Sequence, residues 1–399
     1  MKAYSLYRFY LLILMVLAAG CAEDEVTTGR TLPAVEPEKA IQVGCYYIPR
    51  DHEDSNALPE LIAKGTSRFP EQFQPKQPIS TKLARNGVYE RHGNLAAKHG
   101  VDAFIVHWYC NNNGPYKDDV HKLLLERRKL RTAIRYALIW KNDHEGNRGA
   151  DFMTGAGFRK VIDHLVEDHF KRPNYWKVDD GKIYFSIYDL KQYVAGFEDM
   201  ELAKRSLRML RNRTSAAGFN GLYLVGTTYG LTPEEAIEYR LGLELDAITH
   251  YNWSHTDLLT ERPGTDYTKV SEAYFAALTA GEGVYGDGYA VSVTMGWDPA
   301  PLWSEGDEWK TATEYPYGPV LTGNNGARFA KALGLAKEHA KQHGPPFVLL
   351  NAWNDWLHGS YLEPEAMFKQ SYIEGIKYEF IDKEDVDLYH LNRYRMNNR

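Results

Sequence analysis

ARFAKALGLAKEHAKQHGPPFVLLNAW, residues 327–353, sets a helix directly before a strand. Phe329, Leu333, Leu335 and Ala336 fall near one helical face, Lys and His take other positions, and Gly344 stands where a helix stops. The run from Phe347 to Leu350 is then short and wholly apolar, as in a sheet interior. This pairing recurs along the chain. Strand-like runs occupy 41–48, 101–109, 132–140, 182–189, 220–227, 246–252, 289–297 and 346–353, each rich in β-branched or aromatic residues and set off by Gly, Pro, Asn or Asp. Helical stretches lie between them at 87–100, 116–130, 157–170, 200–213, 271–280 and 327–344. The alternation predicts parallel βα units, and the count of eight predicts an α/β (β/α)8 TIM barrel, a single domain over residues 41–370. Residues 371–399 read as a C-terminal extension packing on the barrel or trailing from it. No Gly-x-Gly-x-x-Gly follows the first strand, so a dinucleotide-binding sheet lacks its signature.

In such a barrel, chemistry gathers at the carboxyl ends of the strands. Those ends carry Tyr46 and Tyr47; His107, Trp108 and Tyr109, with Asn111–Asn113 after them; Trp140, Asn142 and Asp143; Tyr188 and Asp189; and Thr227–Tyr229. The last three ends add His250, Tyr251 and Trp253; Trp297 and Asp298; and Asn354, Asp355, Trp356 and His358. The amino ends are mostly Gly, Pro, Lys and Asp. One rim is therefore expected to hold rings, amides and carboxylates, which is what a glycan pocket requires. Several of these residues admit plainer readings: Asp189 as a helix cap, Asp298 as a turn residue before Pro299, His250 as a structural imidazole, Asp143 as a solvated loop residue, and Tyr46, Tyr47 and Trp108 as packing. Asp355 and His358 are three apart and share a face if the chain turns helical there.

Composition points the same way. Apolar residues make up 44% and charged residues 25%, a globular balance, and the net charge of -6 supplies no basic stripe for nucleic acid. Tyr (28) and Trp (9) are abundant, and aromatic faces stack on the C–H faces of sugars. No metal or organic cofactor is expected, and the protein is expected to be a monomer.

At the N-terminus, Lys2 and Arg8 precede an apolar run, Phe9–Ala19, too short to span a bilayer as a helix and laid out like a secretory signal. Ala18, Ala19 and Gly20 before Cys21 resemble a bacterial lipoprotein box, which implies a signal peptide over 1–20, lipid on the Cys21 thiol, and a place in the cell envelope. Residues 21–40, polar and Pro-containing, read as a flexible tether. Cys45 and Cys110 read as buried thiols or, outside the cytoplasm, a disulfide.

The segment NAWNDWLHGSYLEPE (351–365) resembles the signature of WbsX-like proteins, relatives of glycoside hydrolase family 99, whose pattern runs Asn-Glu-Trp-x-Glu-Gly and then Glu-Pro. GCYYIPR (44–50), RFPEQFQPKQP (68–78), GVDAFIVHWY (100–109) and TMGWDPAP (294–301) match in order, so the resemblance covers roughly residues 43–365. It implies a (β/α)8 barrel and, in family 99, retaining cleavage of α-mannosidic linkages. One Glu there deprotonates the sugar's 2-hydroxyl, giving an anhydro intermediate, and the other protonates the leaving group. By position the first role falls to Asp355 and the second to His358, and both depart from the pattern. Asp is one methylene shorter than Glu, and His is an imidazole that still donates a proton near neutral pH. Glu363 keeps the Glu-Pro match and is a further candidate for proton donor. The expectation is an extracytoplasmic, lipid-anchored glycoside hydrolase acting on an oligo- or polysaccharide. The alternatives are a lapsed glycan-binding lipoprotein and a protein of surface-polysaccharide synthesis.

Overall fold

Eight parallel strands run around a ring in chain order: β1 (Gln42–Tyr47), β2 (Ala103–Asn111), β3 (Arg135–Trp140), β4 (Lys182–Ile187), β5 (Leu222–Thr227), β6 (Ala247–Thr249), β7 (Ser292–Thr294) and β8 (Phe347–Asn351). Every predicted strand run overlaps one of them, and β2 runs two residues past the end of its predicted run. The computed structural model describes residues 41–49, 88–111, 114–116, 132–142, 155–280, 285–303, 306, 311, 312 and 314–382. Consecutive strands pair in parallel, and β8 returns to β1 with Gln42 opposite Phe347. The ring closes between β6 and β7 through a single parallel bridge, Ile248 to Tyr289, with the Ala290 N–H donating to the Ile248 carbonyl at 2.9 Å.

The helices are α1 (Val88–Lys98), α2 (Gly155–His164), α3 (Leu190–Ala195), α4 (Met200–Ala216), α5 (Pro233–Gly242), α6 (Tyr267–Thr279), α7 (Gly326–Gln342) and α8 (Ser371–Phe380). α2 runs on into a π-helical turn, Leu165–Phe170. Their starts are written in side-chain caps: Asp189, Asp199, Asp266 and Asn325 each accept from a first-turn N–H, and Thr232 with Glu235 forms a capping box. α7 buries Phe329, Leu333 and Ala336 as expected, but Leu335 is exposed. It stands about 200° around the helix from Leu333, on the solvent side. The sequence pattern did not mark α3, α5 or α8, which are short or weakly amphipathic. α8 packs Tyr372, Ile373 and Ile376 into the main core, so the first turns of the expected extension belong to the folded body.

Internal contacts separate the chain at Ala40, and residues 41–399 form one unit. Inside the barrel the amino end is plugged by rings. Trp176 lies 4.9 Å from Tyr184 and 5.6 Å from Phe347 between centroids, and Tyr223 packs on Phe347 at 5.5 Å. Tyr46 and Tyr251, 4.6 Å apart, are buried in the same core, and the carboxyl end is left open. Cys45 and Cys110 are buried thiols rather than a disulfide, and burial pushes the Cys45 thiol well above its usual range. No helix among the described residues is long and apolar enough to cross a membrane. The signal segment, Cys21, the tether, residues 68–78, Asp143 and, beyond Tyr116, the expected helix over 116–130 lie outside the described residues.

Candidate active site

The open end of the ring is a cavity of about 670 Å³, within the size range of small-ligand sites. Every strand end reaches its wall directly or through the next few residues, β7 through Trp297. His107 and Tyr109 come from β2, Lys141 follows β3, Tyr188 follows β4 and Tyr229 follows β5. Tyr251, Ser254 and His255 follow β6, and Asp355, Leu357 and His358 follow β8. Residues 315–319 close one side, and Ile48 and Pro49 contribute from the end of β1.

Asp355 and His358 meet as their spacing predicts. The segment after β8 makes a 3-10 turn, Trp356–His358, ended by Gly359 in the left-handed region at φ 61°. The Asp355 Oδ1 and His358 Nδ1 are 2.8 Å apart, with the Asp side chain about 10% exposed. A carboxylate only accepts, so Nδ1 carries the proton of this bond. On the far side of the ring, Nε2 lies 2.9 Å from the Tyr315 hydroxyl. The Trp297 indole stacks on the imidazole at 5.2 Å and 11°. The Asp298 N–H donates to the His358 carbonyl at 2.7 Å. The imidazole is thus held at both nitrogens and on one face.

The facing wall is a run of rings. His107 Nε2 and the Tyr251 hydroxyl are 2.8 Å apart, and Tyr188 lies between Tyr229 (4.8 Å) and Tyr251 (5.2 Å). The Lys141 ammonium sits 2.9 Å from the centre of the Tyr188 ring. Burial, with the Asp355 carboxylate adding to it, holds the Tyr251 phenol well above its usual range. Burial and the Lys141 cation push His255 down to about 3, so it is neutral. The Nδ1 of His255 and the Oγ of Ser254 are buried without a hydrogen-bond partner among the described residues.

Several expected residues lie behind the wall. Strand side chains alternate between faces, so His107 and Tyr109 point inward while Trp108 points out to the helices. Trp108 stacks on His164 of α2 at 6.0 Å, and Trp140, its partner across β2 and β3, packs on Phe158 and Tyr193. Tyr46 is buried beneath Tyr251, while Tyr47 packs on Tyr89 and Phe104 with its hydroxyl 3.2 Å from His92 Nδ1. His250 is structural: Nδ1 is 2.6 Å from the Tyr289 hydroxyl, and burial lowers its pKa to about 4. Asp189 caps α3, and Asp298 accepts from the Ala300 N–H in its turn.

Two amides act as backbone clamps. Asn142 pairs with both the N–H and the carbonyl of Asp189, at 2.8 and 2.7 Å. Asn354 does the same to Ile48, at 2.9 Å each way. Glu363 is occupied on both oxygens, by His92 Nε2 and the Trp356 indole N–H, each at 2.7 Å, and so braces the Asp355–His358 turn from behind. Trp356 itself stacks on Tyr361 at 3.7 Å. Sequence reasoning missed Lys141, Ser254, His255 and Tyr315. The first three follow strand ends closely enough to have been included. Tyr315 lies far along a loop, and nothing local marked it.

A family model described as "Glycosyltransferase WbsX" matches residues 60–376. Among solved structures, a "Glycoside hydrolase-like protein" is similar over 88% of this chain and 97% of its own, at 16% identity and a TM-score of 0.54. The GH99 endo-alpha-mannosidase from Bacteroides thetaiotaomicron, in complex with bis-tris-propane, is similar over 88% of this chain and 94% of its own, at 15% identity and a TM-score of 0.51. A second structure of that enzyme gives 15% identity and a TM-score of 0.50. At these identities the likeness shows the barrel fold alone. No curated protein sequence matches significantly.

Proposed function

This chain belongs to the family described as glycosyltransferase WbsX, and from that premise we propose that it is a glycan-acting enzyme which cleaves a glycosidic linkage at the carboxyl end of its barrel. The carrying observation is the 2.8 Å Asp355–His358 pair set in the wall of an aromatic-lined cavity of about 670 Å³. Cleavage needs a proton for the departing oxygen and a base or nucleophile at the anomeric side. The imidazole is suited as the source of that proton near neutral pH, and the carboxylate to the second task. Tyr229 and Trp297, in the cavity wall, offer faces for sugar rings.

The family's description favours a second reading, in which a sugar hydroxyl replaces water as acceptor and the same couple deprotonates it. The two readings differ only in the acceptor. A polysaccharide-digestion and glycan-array screen, with α-mannosidic glycans included because the solved relative is an endo-alpha-mannosidase, tests both. Hydrolysis predicts new reducing ends, whereas transfer predicts longer products when an acceptor sugar is added. In either case Asp355→Asn is expected to lower kcat by about a thousandfold while leaving ligand affinity near its original value. Binding without turnover in the unmutated protein would instead make it a lapsed glycan-binding protein. The N-terminal pattern supports a place in the bacterial envelope, with Cys21 lipidated as the membrane tether.

A further inference from the structure

Resting on the cleavage reading, we infer that Tyr315 is a further catalytic residue: its hydroxyl, rather than the imidazole of His358, delivers the proton to the departing glycosidic oxygen. Both ring nitrogens of His358 are engaged, Nδ1 by Asp355 at 2.8 Å and Nε2 by the Tyr315 hydroxyl at 2.9 Å. Trp297 covers one face of the imidazole. In this chain of three groups, the outermost transferable hydrogen in the cavity is therefore on the phenol. It has the layout of a carboxylate–imidazole–hydroxyl relay, in which the carboxylate orients the ring and the ring serves the hydroxyl.

The phenol is held where this role needs it. The Tyr317 carbonyl accepts from the Arg262 guanidinium at 2.8 Å, and the Pro316 carbonyl accepts from the Trp303 indole at 2.9 Å. Tyr315 is thus presented from a backbone pinned on its C-terminal side, although its side chain is 65% exposed. Partial desolvation of the ring and the Asp355 carboxylate raise the phenol above its usual range, so it stays protonated and relays the His358 proton rather than ionising itself.

The step balances as follows. Imidazolium Nε2–H passes its proton to the Tyr315 oxygen as the Tyr315 O–H passes its own to the glycosidic oxygen. The bond from that oxygen to the anomeric carbon breaks, its electron pair staying on the departing oxygen, which leaves as a neutral alcohol. Water supplies hydroxide to the anomeric carbon while Asp355 takes its other proton, and exchange with solvent returns that proton to His358. Nothing is oxidised or reduced.

The test compares methyl with 2,4-dinitrophenyl glycosides of mannose, glucose, galactose and N-acetylhexosamine disaccharides, using the full chain and its Tyr315→Phe and His358→Gln variants. The dinitrophenolate leaves without a proton; an alkoxide does not. Both variants are expected to lose at least about a hundredfold in kcat/KM on methyl glycosides and less than about threefold on dinitrophenyl glycosides. Tyr315→Phe activity equal to the unmutated protein, or reduced equally on both substrate types, would overturn the proposal. An unmutated protein that cuts neither type overturns the cleavage reading itself, an outcome distinct from a variant-specific result.

Discussion

At the scale of single residues, the wall of the cavity divides into groups that face its open space and groups that hold those in place. Tyr229 is 37% exposed, stacks on Tyr188 and stands in the cavity wall. Tyr229→Ala is therefore expected to weaken ligand binding about tenfold, the loss of one aromatic face, with kcat within about twofold. Calorimetric titration beside steady-state kinetics separates the two quantities. Trp297 differs because its ring is both wall and support. Removing it frees one face of His358 at 5.2 Å, so Trp297→Ala should lower kcat as well as affinity. The departures from the family signature are legible here too. Asp355 and His358 still meet, so the shorter acid and the imidazole form a bonded couple at the positions where the resembled signature has two Glu.

At the scale of elements, the short turn after β8 holds the proposed Asp355–His358 couple, and its shape rests on one glycine and one half-buried acid. Gly359 has φ 61°, and a Cβ there would come within 2.6 Å of the Asp298 Cβ and 2.8 Å of its backbone nitrogen. Gly359→Ala therefore meets both backbone strain and a clash with main chain that cannot swing aside. A stability loss of about 2–3 kcal/mol is expected in urea denaturation, together with a fall in turnover as His358 is displaced. Glu363 supports the same turn through Trp356 and ties it to α1 through His92. Glu363→Gln keeps one acceptor for the indole but removes the charge facing His92. It should lower the melting temperature and reduce kcat about tenfold without changing the leaving-group dependence, which sets a brace apart from a proton donor.

At the scale of the whole molecule, the barrel buries imidazoles that cannot charge without cost. His250 is enclosed with Tyr289, Tyr285 and Tyr274, and burial alone lowers it from 6.5 to about 4. The unfolded chain takes up this proton near pH 6.5 while the folded chain refuses it until about pH 4. Its contribution to stability is therefore full above pH 6.5 and falls as the pH drops, by about 3 kcal/mol at pH 4. His255, lowered to about 3, adds to the same slope. Melting temperatures between pH 7 and pH 4 should fall less steeply for His250→Gln than for the unmutated protein. On the envelope proposal, Cys21→Ser is expected to shift the protein from the membrane pellet to the soluble fraction of cell lysates.

The sequence by itself determined the eight strands and the end of the ring that gathers the polar and aromatic residues of the cavity. β-branched and aromatic runs form strands through local propensity, and parallel strands place all their carboxyl ends together. It also placed Asp355 beside His358, because three residues of helical turn bring two side chains to one face. Only the tertiary structure decided which neighbours at each strand end face the cavity. His107 and Tyr109 do while Trp108 does not, because strand parity relative to the barrel axis is set by pairing with distant strands. Only the fold, too, withdrew Glu363 and Asn354 into bracing contacts and brought Tyr315 to His358 across 43 positions. Those outcomes depend on contacts between segments far apart in the chain, which no local pattern of residue types encodes.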